Sequence, residues 1–176
     1  MRVEKLRQVF AALNQAEVRY LVVGGIAVIA HGYQRLTTDV DLVIHLIPEN
    51  VVAAMSALTA LGYHPRVPVS AVEFSDPAKR AFWIRKKGMV VFQLVSEEFR
   101  WEPIDVFVEE PFPFAAVYAR AHWHSLSGGV SIPVVPKREL YEMKKAAGRD
   151  KDLVDIRELT DYEAYERDQN KPSSID

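Results

Sequence analysis

Apolar residues recur at helical spacing at Val3, Leu6, Val9, Phe10 and Leu13, so residues 2 to 16 read as an amphipathic helix. Arg19 to Val23 is a short β-rich run that stops at Gly24 and Gly25, and the compact apolar stretch Ile26 to Tyr33 reads as a short helix. From Val40 to Leu46, the residues Val40, Leu42 and Ile44 fall on one side of an extended chain, which predicts a strand. Pro48 suits a first helical turn, and the helix it opens should reach Leu61 before Gly62 stops it. Prolines interrupt residues 65 to 78, which read as an irregular excursion, and Ala78 to Lys87 follows as a helix.

Met89 to Val95 and Ile104 to Val108 are further β-rich runs expected to pair in one sheet, and Phe114 to Ala121 is a helix candidate. His122 to Leu126 and Val130 to Val135 flank Ser127-Gly-Gly129, a hairpin signal. Lys137 to Ala147 reads as a helix with Gly148 as its left-handed terminator, and Asp150 as the N-cap of a last helix to about Tyr162. The hairpin argues against an all-parallel sheet. The expected fold is α/β (α+β): a mixed β-sheet with flanking helices and a C-terminal helical pair, one domain over residues 1–165. Residues 166–176 have almost nothing to bury and are expected to form a disordered tail.

With 176 residues, 49% of them hydrophobic, the chain can bury a core without a covalent or metal staple. It has no cysteine, which excludes disulfides, cysteine-ligated metals and a thiol nucleophile. Lys and Arg number 22 against 24 Asp and Glu, so no global field draws the protein to nucleic acid, and any such site must be a local patch. No stretch reaches the about 20 apolar residues of a membrane span. The first residues lack the apolar centre of a signal peptide, so a cytoplasmic location and no membrane partner are expected.

The stretch from Leu21-Val-Val-Gly-Gly-Ile-Ala27 to Arg35-Leu-Thr-Thr-Asp-Val-Asp-Leu42 carries the chemistry. Glycines at the join of a strand and a helix let backbone N–H groups approach a ligand, and a helix start favours an anion such as phosphate. Asp39 and Asp41 then share one face of a strand. Two adjacent carboxylates repel and call for a shared cation or a proton. An all-oxygen pair suits a hard cation, Mg²⁺ above all. In Pro103-Ile-Asp-Val-Phe-Val108, Asp105 interrupts an otherwise apolar strand and needs a partner; a divalent site would supply it. Phosphate cradle and metal cradle together are what phosphoryl or nucleotidyl transfer requires.

The glycine pair, the Asp-x-Asp and the later strand Asp resemble the polymerase β-like nucleotidyltransferase superfamily. Within it, Arg35 to Leu42, Gly62-Tyr-His-Pro65 and Lys144-Lys-Ala-Ala-Gly-Arg-Asp-Lys-Asp-Leu-Val-Asp155 are similar to the bacterial AbiEii-type group, some members of which are toxins of toxin–antitoxin pairs. The resemblance spans about Leu13 to Leu159. It implies a metal-dependent enzyme that transfers a nucleoside monophosphate from an NTP to an RNA end (tRNA or another RNA), a protein or a small molecule, with a cognate antitoxin as a possible partner. It implies Asp39, Asp41 and Asp105 as catalytic and metal-binding residues, holding two Mg²⁺ ions when nucleotide is bound, with Mn²⁺ as a substitute. Gly24 and Gly25 would hold the triphosphate, with Arg35 and Thr37 or Thr38 reaching phosphate oxygens. Lys144, Arg149 and Lys151 would add positive charge, oriented by Asp152 and Asp155. One departure stands out: many members follow the first glycine with a phosphate-contacting serine, and here Gly25 has no side chain.

Each piece has a plainer reading. The glycines can form a mere turn, Asp39 and Asp41 an exposed strand face, and Asp105 a partner for an arginine. Asp152 and Asp155 read as helix salt-bridge partners, and Lys144 as a solvated face as readily as a phosphate ligand. His122 and His124 read as an exposed hairpin face rather than metal ligands, and His31 as a capping or packing residue. The run Lys79 to Lys87 mixes cations with aromatics, which suits RNA or an amphipathic helix. A catalytically weak nucleotide-binding module and a metal-dependent phosphatase remain as alternative functions.

Overall fold

The structure, a computed structural model, describes residues 3–70, 72–99 and 102–169. Its strands are β1 (Tyr20–Val22), β2 (Val40–Ile44), β3 (His64–Pro65), β4 (Val91–Val95), β5 (Ile104–Phe107), β6 (His122–Ser125) and β7 (Ser131–Val134). They form one seven-stranded sheet in the order β3-β4-β5-β2-β1-β7-β6. The β2–β5 and β1–β7 pairs are parallel and the rest antiparallel, the mixed sheet expected from the sequence. The helices are α1 (Val3–Gln15), α2 (Gly24–Ala30), α3 (Pro48–Ala60), α4 (Pro77–Lys87), α5 (Phe114–Tyr118), α6 (Lys137–Ala147) and α7 (Asp150–Gln169). Among the described residues no helix is long and apolar enough to cross a membrane.

Strand alternation sets up the site. Val40 opposes Ile104 and Leu42 opposes Val106 across β2 and β5, and all four are fully buried. Each such side chain contributes about 1.5–3 kcal/mol of burial free energy, which fixes the register. Fixing it obliges Asp41 and Asp105, one position along in each strand, to emerge together on the opposite face. The core continues through Leu6, Val9, Phe10 and Leu13 of α1 and Val51, Ala54, Met55 and Leu58 of α3.

Several element bounds differ from the sequence reading. The proline-interrupted stretch is not wholly irregular: it holds β3 and a 3-10 turn, Val72–Ser75, because buried Phe74 stacks on Phe92 at 4.7 Å. Helix α2 starts at Gly24 rather than Ile26, and α5 stops at Tyr118 rather than Ala121, where the chain turns through Arg120 N–H to Val117 O. Helix α7 continues past Tyr162 to Gln169, since no glycine or proline interrupts it. Residues 166–169 of the expected tail are therefore helical, and 170–176 lie outside the described residues. In α4, Arg80 and Trp83 turn into the core while Phe82 stays exposed, so the cation–aromatic run is an amphipathic helix.

Candidate active site

Asp41 and Asp105 are direct cross-strand partners on β2 and β5, and Asp39 precedes the first of them by two residues. One carboxylate oxygen from each of the three lies within 4.8 Å of the others. Burial pushes the Asp41 carboxyl up to about 6, and the neighbouring charges of Asp39 and Asp105 push the same way. Asp105 is also raised, by burial first, against a hydrogen bond from Gln93 that favours its ionised form. Three converging, half-buried carboxylates suit a hard divalent cation. Oxygens on opposite sides of Mg²⁺ stand about 4.2 Å apart, so a small contraction brings these donors into one coordination sphere.

Gly24 is required by contact rather than by flexibility alone. Its φ is +62°, and a Cβ there would lie 1.8 Å from Asp41 Oδ2. The main chain at the start of α2 thus forms the floor under the Asp41 carboxylate. At Gly25 a Cβ would fall 2.4 Å from Thr37 Oγ1, and that hydroxyl donates to Asp39 Oδ1 at 3.0 Å. The space a serine side chain would need at position 25 is therefore filled by the Thr37 hydroxyl. Thr38 is exposed.

The C-terminal helical pair brings cations to the acids. Lys144, only 5% exposed, donates to Asp155 Oδ2 at 2.5 Å and Asp152 Oδ1 at 3.3 Å. Arg35, from the loop ahead of β2, donates to the same Asp155 oxygen at 2.5 Å. Arg149 holds Asp152 through Nε at 2.6 Å and Nη2 at 3.3 Å. Asp152 and Asp155 are thus buried hubs that tie α6, α7 and the Arg35 loop together, a stronger role than surface helix pairing. Lys151 is exposed and has no ion pair among the described residues. Its positive charge lowers both Asp41 and Asp105, more than any other cation does.

Two polar residues that sequence reasoning passed over adjoin the acids. Gln93 Nε2 donates to Asp105 Oδ1 at 2.7 Å, and Arg66 Nη1 donates to Gln93 Oε1 at 2.6 Å. Gln93 carried the same signal as Asp105, a polar side chain within an apolar strand, but without a charge to draw attention.

The histidines gather elsewhere. His31, at the C-terminal end of α2, is buried, hydrogen-bonds Val135 O through Nε2 at 2.8 Å, and meets the rings of His122 and His124 at 5.5 and 6.3 Å. The hairpin histidines are therefore packed on a third histidine, not merely displayed on an exposed face. Burial lowers His31 to about 4 and also lowers His124. Among the described residues, the three aspartates are the only group of three or more acids or histidines that could hold a metal ion.

No family model matches the chain, and no curated protein matches it by sequence. Solved structures do match its fold. The lincosamide antibiotic adenylyltransferase LnuA, solved with lincomycin bound, is 16% identical, with 89% of this chain and 95% of that one covered and a TM-score of 0.59. ANT(2'')-Ia in complex with adenylyl-2''-tobramycin is 12% identical over 94% of this chain and 91% of its own, with a TM-score of 0.57. An antigenic nucleotidyltransferase-like protein from Paracoccidioides brasiliensis is 14% identical over 90% and 73%, with a TM-score of 0.53. The chain has the nucleotidyltransferase fold. It carries on that fold an acidic cluster able to hold a divalent metal.

Proposed function

We propose that the protein is a metal-dependent nucleotidyltransferase that moves a nucleoside monophosphate from an NTP to an acceptor hydroxyl. The observation that carries this reading is the convergence of Asp39, Asp41 and Asp105 beside the Gly24–Gly25 turn. Mg²⁺ held by these three carboxylates, with Mn²⁺ as a substitute and a second ion arriving with the nucleotide, would neutralise phosphate charge and acidify the acceptor hydroxyl. Lys151, Arg149, Arg35, the Thr37 hydroxyl and the Gly24–Gly25 backbone hold the triphosphate. Asp105 takes the acceptor's proton. The acceptor oxygen then bonds to the α-phosphorus as the bond to the bridging oxygen breaks, and pyrophosphate leaves in line. Lys144 supports the site indirectly, by holding Asp152 and Asp155 and through them Arg149 and Arg35.

The bound molecules of the structural neighbours, lincomycin and adenylyl-2''-tobramycin, make an antibiotic-like small molecule the first acceptor to test. An RNA end and a protein side chain follow. A toxin role and a cognate antitoxin rest on the narrower AbiEii-type resemblance. The test incubates the protein with each α-labelled NTP, Mg²⁺ and, in turn, an antibiotic panel, total RNA and a host lysate. Label transferred by the wild type and lost in Asp41→Asn and Asp105→Asn supports the reading. Full transfer in either variant overturns it.

A further inference from the structure

Four adjacent strands carry one row of polar side chains into the acidic cluster. Arg66, directly after β3, has its backbone N–H bonded to Gln93 O at 3.0 Å, which sets it opposite Gln93 of β4. Gln93 pairs in register with Asp105 of β5, and Asp105 pairs with Asp41 of β2. Cross-strand neighbours on one face stand about 4.5–5.5 Å apart, within reach of hydrogen-bonding side chains. The first three are joined accordingly, Arg66 Nη1 to Gln93 Oε1 at 2.6 Å and Gln93 Nε2 to Asp105 Oδ1 at 2.7 Å.

The chain has only one chemically consistent direction. A guanidinium offers donors alone and an ionised carboxylate accepts alone. A flipped Gln93 amide would set its NH₂ against the Arg66 donors and its carbonyl against the carboxylate. Arg66 therefore fixes which end of the amide faces Asp105. Among the described residues Asp105 Oδ2 has no hydrogen-bond donor, so one oxygen is tethered and the other is left for a cation or an acceptor hydroxyl. Asp39 and Asp41 receive no such clamp from this row.

We infer that Gln93 is a positioning residue for Asp105, and that Arg66 acts through Gln93 to hold the carboxylate in the orientation that completes the metal site. This rests on the reading of Asp39, Asp41 and Asp105 as metal ligands. The test titrates the full chain with Mn²⁺ alone, followed by electron paramagnetic resonance, for the wild type, D105N, Q93L, Q93E, R66M and R66K. Thermal melting of each variant checks folding. Q93L should weaken Mn²⁺ binding by about threefold to tenfold, and Q93E, which keeps a partner for Arg66 but loses the donor to Asp105, should do no better. R66M should weaken binding in the same direction by a smaller factor, and R66K, which keeps a donor to Oε1, should restore it. Arg66 is exposed, so that pair folds even if a Gln93 variant does not. Wild-type affinity in Q93L and R66M alongside a loss in D105N would overturn the positioning role and leave the metal site standing. Equal affinity in D105N and wild type would overturn the metal site itself, and the inference with it.

Discussion

Helix α2 has a cluster of like titratable groups at each end, and the two clusters relieve their repulsion in opposite ways. At its start, Asp39, Asp41 and Asp105 converge over Gly24; at its end, His31 meets His122 and His124. Burial raises Asp41 to about 6 and lowers His31 to about 4. In both cases the neutral form is favoured, but only one group is neutral at pH 7. His31 simply loses its proton and packs against the rings of His122 and His124, with Val135 O hydrogen-bonded to its Nε2. Asp41 remains largely ionised at pH 7, and it stays in conflict with its two neighbouring carboxylates until a cation joins them. Proximity of ligating residue types is thus not what marks a site. Unrelieved charge does.

The largest expected effect separates the two ends by activity. In the labelled-transfer assay Asp41→Asn and Asp105→Asn should lose at least about a thousandfold, whereas His124→Asn should stay within about twofold of wild type. A comparable loss in His124→Asn would erase the distinction.

Next comes stability against pH. The lowered His31 value means the unfolded chain binds the extra proton between about pH 6.5 and about pH 4. The contribution of His31 is complete above pH 6.5 and is lost as pH drops toward 4, by roughly 3 kcal/mol for the full shift. Chemical denaturation across that range should show the wild type losing more stability on acidification than His31→Gln, the difference between the two curves reporting this group. Asp41 has the opposite sign: without a cation, its raised value favours the fold at low pH and removes that support as pH rises through about 6.

A smaller effect is expected at Gly25. Gly25→Ala would drive its Cβ against the Thr37 hydroxyl and so disturb Asp39, raising the KM for NTP about tenfold, read from initial rates. An unchanged KM would show that the Thr37 hydroxyl has no part in nucleotide binding.

The acids were readable in the sequence because Asp39 and Asp41 alternate with the apolar Val40 and Leu42, and Asp105 interrupts an otherwise apolar strand. The strand pairing that joins Asp41 to Asp105 then follows from burying Val40, Leu42, Ile104 and Val106 together. Side chains whose roles depend on distant partners were not readable. The resemblance implies that Asp152 and Asp155 orient Lys144, but nothing local in its basic helical run says that they bury it beyond the turn at Gly148. The absent side chain at Gly25 reads as a departure from the family pattern, and only the fold places the Thr37 hydroxyl in its space. Arg66 sits amid prolines, and only the short pairing of β3 with β4 brings it to Gln93. The histidine cluster depends on α2 carrying His31 to a hairpin about ninety residues further along, a tertiary fact with no local signature.

The most direct measurement is the melting temperature of wild type and Asp41→Asn with increasing Mg²⁺ at pH 7.5 and pH 5. At pH 7.5 Mg²⁺ should raise the wild-type value by several degrees, since ligand that binds only the folded state stabilises it. The rise should shrink at pH 5, where the proton on Asp41 competes with the cation, and should vanish in Asp41→Asn, whose metal-free form should melt no lower than the wild type. A wild type indifferent to Mg²⁺ at pH 7.5, or an equal gain in Asp41→Asn, would contradict a metal centre built on these carboxylates.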